Sequence, residues 1–250
     1  MTVSQKNIQS LRAAMALAAA GMAAPVMADM TFDFNSSNGG FTSSLNTATF
    51  EGPWGYSSSG GAGGSGGWST AGQGSNIGHS CTTDLTSNVM TVTADGNVSL
   101  NFDQRYSFEV DSGGRWDGGG LYVSRNGGAW TFVNSGAFLT NGYSGTVDSW
   151  SQGSQLGGQQ AFVGTSSGYS AGAFINSTAN LGPFLSGDTL QIRFRAAYDS
   201  NTVAGTPSWA IDNVFITNVV PGPGAAMLMA AGGLVGVRGR RDRTARQRAT

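Results

Sequence analysis

Side chains able to do chemistry are few in this chain. His79 is its single histidine, so a zinc site built on several histidines, or an HExxH pair, has no second imidazole to draw on. A serine hydrolase would have to use His79 as its base. Gly63-Gly64-Ser65-Gly66-Gly67 does satisfy G-x-S-x-G. Inside a glycine–serine tract that match arises by chance, and it lacks the strand before and helix after that a nucleophile elbow requires. Glu51 and Glu109 are the only glutamates. A glycosidase needs two carboxylates facing each other across the scissile bond, whereas Glu109 falls at a solvent-facing position of an alternating segment. The expectation is a chain without catalytic residues.

Binding suits what remains. Asp33 and Asp212 fall in the first and last strands expected of the domain, which would be neighbours. Carboxylates so placed could share a structural calcium, an oxygen-seeking ion; the alternative is that they, like Asp117, cap local turns. No other cofactor is expected. Trp54, Trp68, Trp116 and Trp150 lie in polar, Gly/Ser-rich stretches, where they could form a stacking platform for sugars or fold back as lids. Trp130 and Trp209 lie in strand-like segments and read as core. Cys81 is the single cysteine, so an intramolecular disulfide is excluded. A small buried apolar side chain is its ordinary role; an intermolecular bridge or a reactive thiol is the alternative.

These residues need a scaffold, and the composition dictates one made of strands. Between Asp29 and Val219 there is no lysine, and 33 of the 40 glycines lie there. The good helix formers are missing, while glycine costs about 1 kcal/mol in a helix interior. Alternation of apolar and polar residues marks strands at Val89–Thr93, Val98–Phe102, Tyr106–Val110, Leu121–Ser124, Trp130–Val133, Leu190–Ala196 and Trp209–Ile216. In Leu190–Ala196 it turns Arg193 and Arg195 outward. Asn126-Gly127 between two of these segments is a type I′ hairpin signal, because both residues accept positive φ. Ser57 to Gly74 is Gly/Ser-rich and reads as a flexible surface loop. The fold expected is an all-β, jelly-roll β-sandwich.

Both ends read as addresses. Lys6 and Arg12, the apolar run Ala13–Ala24, Pro25 and the small residues Val26 and Ala28 form a secretory signal over residues 1–28. At the other end, Val220-Pro221-Gly222-Pro223-Gly224 precedes the apolar run Ala225–Val237 and six arginines. Positive charge resists translocation, so this tail should stay cytoplasmic with the domain outside. The domain itself, residues 29–219, carries five arginines against thirteen acids, 5 − 13 = −8, which disfavours a nucleic-acid partner.

The order proline-rich motif, short hydrophobic helix, arginine cluster resembles the PEP-CTERM sorting signal of bacteria. Gly222 stands where the namesake glutamate would be. The resemblance implies an exosortase-type processing enzyme as partner, a short anchor helix within residues 220–250, and display at the cell envelope or in the extracellular matrix. Between the ends, Phe32-Asp33-Phe34, Asp117-Gly118-Gly119, the hairpin Leu121–Trp130, Ala161–Gly168, Leu190–Asp199 and Ser208–Val214 resemble, in that order, the MAM-like jelly-roll domain found beside immune-inhibitor-A-type peptidases. Only the accessory module is implied, since nothing of a peptidase is present. The functional expectation is a non-catalytic surface protein with a structural or adhesive role; the alternative is a module binding extracellular polysaccharide. A polysaccharide hydrolase is the third reading.

Overall fold

A computed structural model of the protein describes residues 28–45, 52–71, 80–149, 155–200 and 205–222. The expected signal peptide to Met27, Glu51, His79, Trp150, Pro223, Gly224 and the C-terminal apolar and arginine segments lie outside the described residues.

Two antiparallel sheets pack face to face. The first contains β1 (Met30–Phe32), β3 (Gly55–Ser57), β4 (Gly67–Thr70), β7 (Gly96–Tyr106), β10 (Phe138–Thr140), β13 (Ile175–Phe184) and β15 (Trp209–Ile216). Its order is β10-β13-β7-β15-β4-β3, and β1 continues the edge of β15 beyond β4. The second contains β2 (Thr42–Leu45), β5 (Cys81–Thr86), β6 (Met90–Val92), β8 (Gly118–Arg125), β9 (Thr131–Phe132), β14 (Thr189–Tyr198) and β16 (Val219–Pro221). Here β14 is central, flanked on one side by β8 and β9 and on the other by β5 and β6, with β2 and β16 outermost. A small hairpin, β11 (Gly145–Thr146) with β12 (Gln160–Ala161), stands apart.

Alternation explains the layers. Along β7, Val98, Leu100, Phe102, Gln104 and Tyr106 are buried, while Ser99, Asn101, Asp103 and Arg105 face outward. The strand expected at Val98–Phe102 runs on through the polar Asp103–Arg105 to Tyr106, whereas the strand expected at Tyr106–Val110 does not form: beyond Tyr106 only Ser107 and Val110 make isolated bridges. Gln104 is fully buried without penalty. It accepts the Trp209 indole N–H at 2.9 Å and donates to the Ser177 hydroxyl at 2.7 Å, so no polar atom is orphaned there. Trp209 sits at the centre of the core, ringed by Trp54, Phe108, Phe162 and Phe194.

Several expectations hold. Asn126 (φ 54°) and Gly127 (φ 66°) close the β8–β9 turn with the positive φ expected of them. Arg193 and Arg195 do face outward; Arg195 grips Asp84 with two bonds of 2.8 Å. Trp130 is half-buried rather than core, and the Arg193 guanidinium lies 3.8 Å above its ring. Around it, Tyr122, Val147, Leu156, Ala161 and Val163 form a second apolar cluster on the outside of the second sheet.

Two further expectations change. Residues 57–71 are not a featureless loop. They include the ends of β3 and β4 and the short 3-10 turn Ala62–Gly64 between them. Nor does the sandwich stop at Val219. Val220 and Pro221 pair with Thr91 and Met90 in β16, and the Gly222 N–H donates to the Val89 carbonyl at 2.9 Å. Proline is tolerated there because β16 is an edge strand.

Candidate functional site

Among the described residues, the outer face of the first sheet is polar, whereas that of the second carries the apolar cluster around Leu156. On the first sheet's outer face, Asn101, Asp103, Asn176 and Asn213 form one hydrogen-bonded array. Asn176 exchanges bonds of 2.7 and 2.9 Å with Asn101 and donates to Asp103 at 2.7 Å, and Asn213 donates to the other Asp103 oxygen at 2.9 Å. Asn213 reaches this position because it sits at a bulge in β15, at φ 48°.

The stripe Asn101–Asp103–Arg105 leads into a cleft of about 540 Å³. One wall is the glycine-rich turn from Ser57 to Gly64; Gly172, Phe174 and Pro207 line the other side, and Arg105 and Ser69 come from the sheet. The Arg105 guanidinium lies 4.9 Å from the centre of the Tyr169 ring. Its Nε is buried and has no hydrogen-bond partner, and among the described residues Arg105 makes no salt bridge. A donor so placed costs free energy until something accepts from it. A second cleft of about 450 Å³, between Val123, Phe132, Leu139 and Leu181, contains no titratable side chain.

Asp212 holds the glycine-rich wall in place. Its carboxylate is fully buried; Oδ2 accepts from the Ala62 N–H at 2.9 Å and the Ser65 hydroxyl at 2.7 Å, and Oδ1 from the Asn213 N–H at 2.7 Å. Gly61 must be glycine, because a Cβ there would lie 2.4 Å from Asp212 Oδ2 and 2.2 Å from the Gly66 carbonyl oxygen. Asp33 is exposed just past β1 and accepts the Asn35 N–H at 3.1 Å, a local turn cap. β1, beside Asp33, and β15, which bears Asp212, are neighbours as expected, although β16 rather than β15 is the last strand; the carboxylates of Asp33 and Asp212 serve different partners, one as a turn cap and the other as a loop anchor.

The tryptophans divide likewise. Trp54 is 3% exposed and donates to the Thr83 carbonyl at 3.1 Å; Trp68 is 5% exposed and donates to the Asn38 carbonyl at 3.1 Å. Both are core residues, so neither can present a ring to a sugar. Trp116 is half-buried, its indole N–H donating to Asp111 Oδ1 at 2.9 Å.

Sequence reasoning missed one group altogether. Glu109, expected to face solvent, converges with Asp117 and Asp199, each offering an oxygen within 4.8 Å of the others. Asp117 and Asp199 are 1% and 2% exposed. Asp117 Oδ1 accepts the Asp199 N–H at 2.9 Å, while Asp117 Oδ2 and Glu109 Oε2 are buried without a partner. Burial, with Asp199 and Asp111 nearby, pushes the Glu109 carboxyl up to about 7, and burial holds Asp117 well above the ordinary carboxylate range. Cys81, on the neighbouring strand, is fully buried, and burial together with Asp117 and Asp199 pushes its thiol up to about 12. The acids are spread over ninety residues, so no local motif announced them.

No protein-family profile and no curated protein matches the chain. Among solved structures it is similar to the family 61 carbohydrate-binding module crystallised with beta-1,4-galactotriose, at 12% identity over 70% of this chain and 86% of that one, with a TM-score of 0.36. It is also similar to the K1 cleaved adhesin domain of Lys-gingipain from Porphyromonas gingivalis W83, at 10% identity over 76% and 97% of the two chains and a TM-score of 0.39. The CBM22-1 xylan-binding domain from Paenibacillus barcinonensis matches at 10% identity over 80% and 99%, with a TM-score of 0.38. At such scores a functional reading has to stand on the chain's own geometry, and what that geometry establishes is an all-β sandwich with one polar outer face.

Proposed function

We propose that this chain is an exported, non-catalytic β-sandwich module that binds an extracellular polysaccharide on the outer face of its first sheet. The carrying observation is the Arg105 cleft, where a buried guanidinium Nε has no partner. Sugars offer hydroxyl donors and acceptors around an apolar ring face, and they are matched by amides, carboxylates and backbone groups beside an aromatic edge. Arg105, Phe174, the backbone of the glycine-rich wall and the Asn101–Asp103–Asn176 array supply that set. Binding here accounts for an adhesive role without a separate structural device. The jelly-roll connectivity and kinship with MAM-like modules belong to the same proposal. So does sorting to the envelope by the signal peptide and by the segment after Gly222, with an exosortase-type enzyme acting on it.

Affinity electrophoresis of the full-length chain through neutral and uronate-bearing polysaccharides tests this. At least one polysaccharide should retard the protein. Arg105→Ala and Phe174→Ala should each weaken the retardation about tenfold, the equivalent of about 1.4 kcal/mol, while Trp116→Ala leaves it unchanged. No reducing ends should accumulate. Retardation indifferent to Arg105→Ala, or absent throughout, would refute the site.

A further inference from the structure

We infer that Glu109, Asp117 and Asp199 form a binding site for one calcium ion at the end of the sandwich. The sheet register builds the site. β14 pairs with β8 up to Ala197 opposite Gly118, so the residues just beyond, Asp199 and Asp117, emerge side by side. Glu109 joins them through the short antiparallel return in which Val110 faces Arg115 and the Trp116 N–H donates to the Glu109 carbonyl at 3.2 Å.

Proximity alone would not make a site, since acids cluster by accident. The second observation is Asp117 itself. It is 1% exposed, and its Oδ2 has no hydrogen-bond donor although oxygens of two other acids lie within 4.8 Å. A buried carboxylate oxygen left unmatched carries a heavy desolvation cost, and a cation removes it. The spacing suits calcium. Its oxygen ligands stand at about 2.3–2.6 Å, so two opposed ligands lie up to about 5 Å apart, and three oxygens within 4.8 Å of one another can close on one such ion with shifts of a few tenths of an ångström. Magnesium, at about 2.0–2.1 Å in strict octahedral geometry, would need a tighter set. Zinc prefers thiolate and imidazole donors, whereas the three groups that converge here among the described residues are all carboxylates. Water would complete the shell, which leaves a single ion locking the end of β14, the start of β8 and the 109–117 return together.

The test is calcium titration of the chelator-stripped full-length chain, followed by calorimetry and by thermal unfolding. One calcium per chain should bind, and at about a hundredfold excess over Kd the melting temperature should rise by about 5–10 °C. Asp117→Asn and Glu109→Gln should each abolish both responses, and Asp33→Asn should keep both. If Asp117→Asn does not fold, Glu109→Gln decides, because that residue is only half-buried. Absence of any calcium response in the wild-type chain, its retention in either variant, or a response to magnesium or zinc but not calcium would overturn the assignment.

Discussion

Replacing Asp212 with asparagine should loosen the wall of the Arg105 cleft by an amount that can be worked out. The carboxylate is fully buried and receives three donors, two of them backbone N–H groups, those of Ala62 and Asn213. An asparagine oxygen can keep Asn213 satisfied, but its NH2 then faces the Ala62 N–H, two donors opposed. The Ser65 hydroxyl escapes, because the Ala62 carbonyl lies 2.7 Å away as an alternative acceptor. What is lost is therefore one bond to a charged group, worth about 1.5–3 kcal/mol, together with the cost of an unmatched buried donor. The sum is about 3 kcal/mol. For a domain of this size each kcal/mol moves the melting temperature by about 2–4 °C, so Asp212→Asn should melt about 6–12 °C below the wild-type chain. The drop should be the same in calcium and in chelator, and the Ala62 amide should exchange with deuterium faster. A drop that vanishes in chelator would make Asp212 a calcium ligand after all. A melting temperature within about 2 °C of wild type would refute the anchoring role.

Two further outcomes are expected. Asp188 lies well below the usual carboxylate range, near 2, through bonds from the Asn126 amide, the Leu185 N–H and Arg125. Its folded pKa is depressed, so the stability it contributes is present above its ordinary value near 3.8 and is lost as pH falls toward 2; Asp188→Asn should flatten the acid limb of the melting-temperature profile, and parallel limbs would refute this. Cys81 is fully buried with its thiol held near 12, so thiol-specific reagents at pH 8 should label it only after unfolding; rapid labelling of the native chain would mean that β5 opens readily.

Much of the scaffold was legible in the residues because period-two alternation is a local property. The burial of Leu190, Ile192, Phe194 and Ala196, the outward turn of Arg193 and Arg195 and the Asn126-Gly127 hairpin all follow from side chains pointing to opposite faces along a strand. The absence of lysine and the wealth of glycine between Asp29 and Val219 already exclude a helical domain. What local pattern could not supply was which strands lie side by side. Trp54 and Trp68 have small, polar neighbours in sequence and could be read as a platform or as lids, yet burial is decided by neighbours in space: Trp54 packs on Trp209 and Trp68 on Tyr56. Asp212 could be read as a turn cap or as a calcium ligand, and a loop almost 150 residues away supplies two of its three donors, the Ala62 N–H and the Ser65 hydroxyl. Glu109, Asp117 and Asp199 carried no motif at all. They meet only because β8 and β14 pair with Gly118 opposite Ala197, and because the return that sets Val110 against Arg115 brings Glu109 back beside the two aspartates.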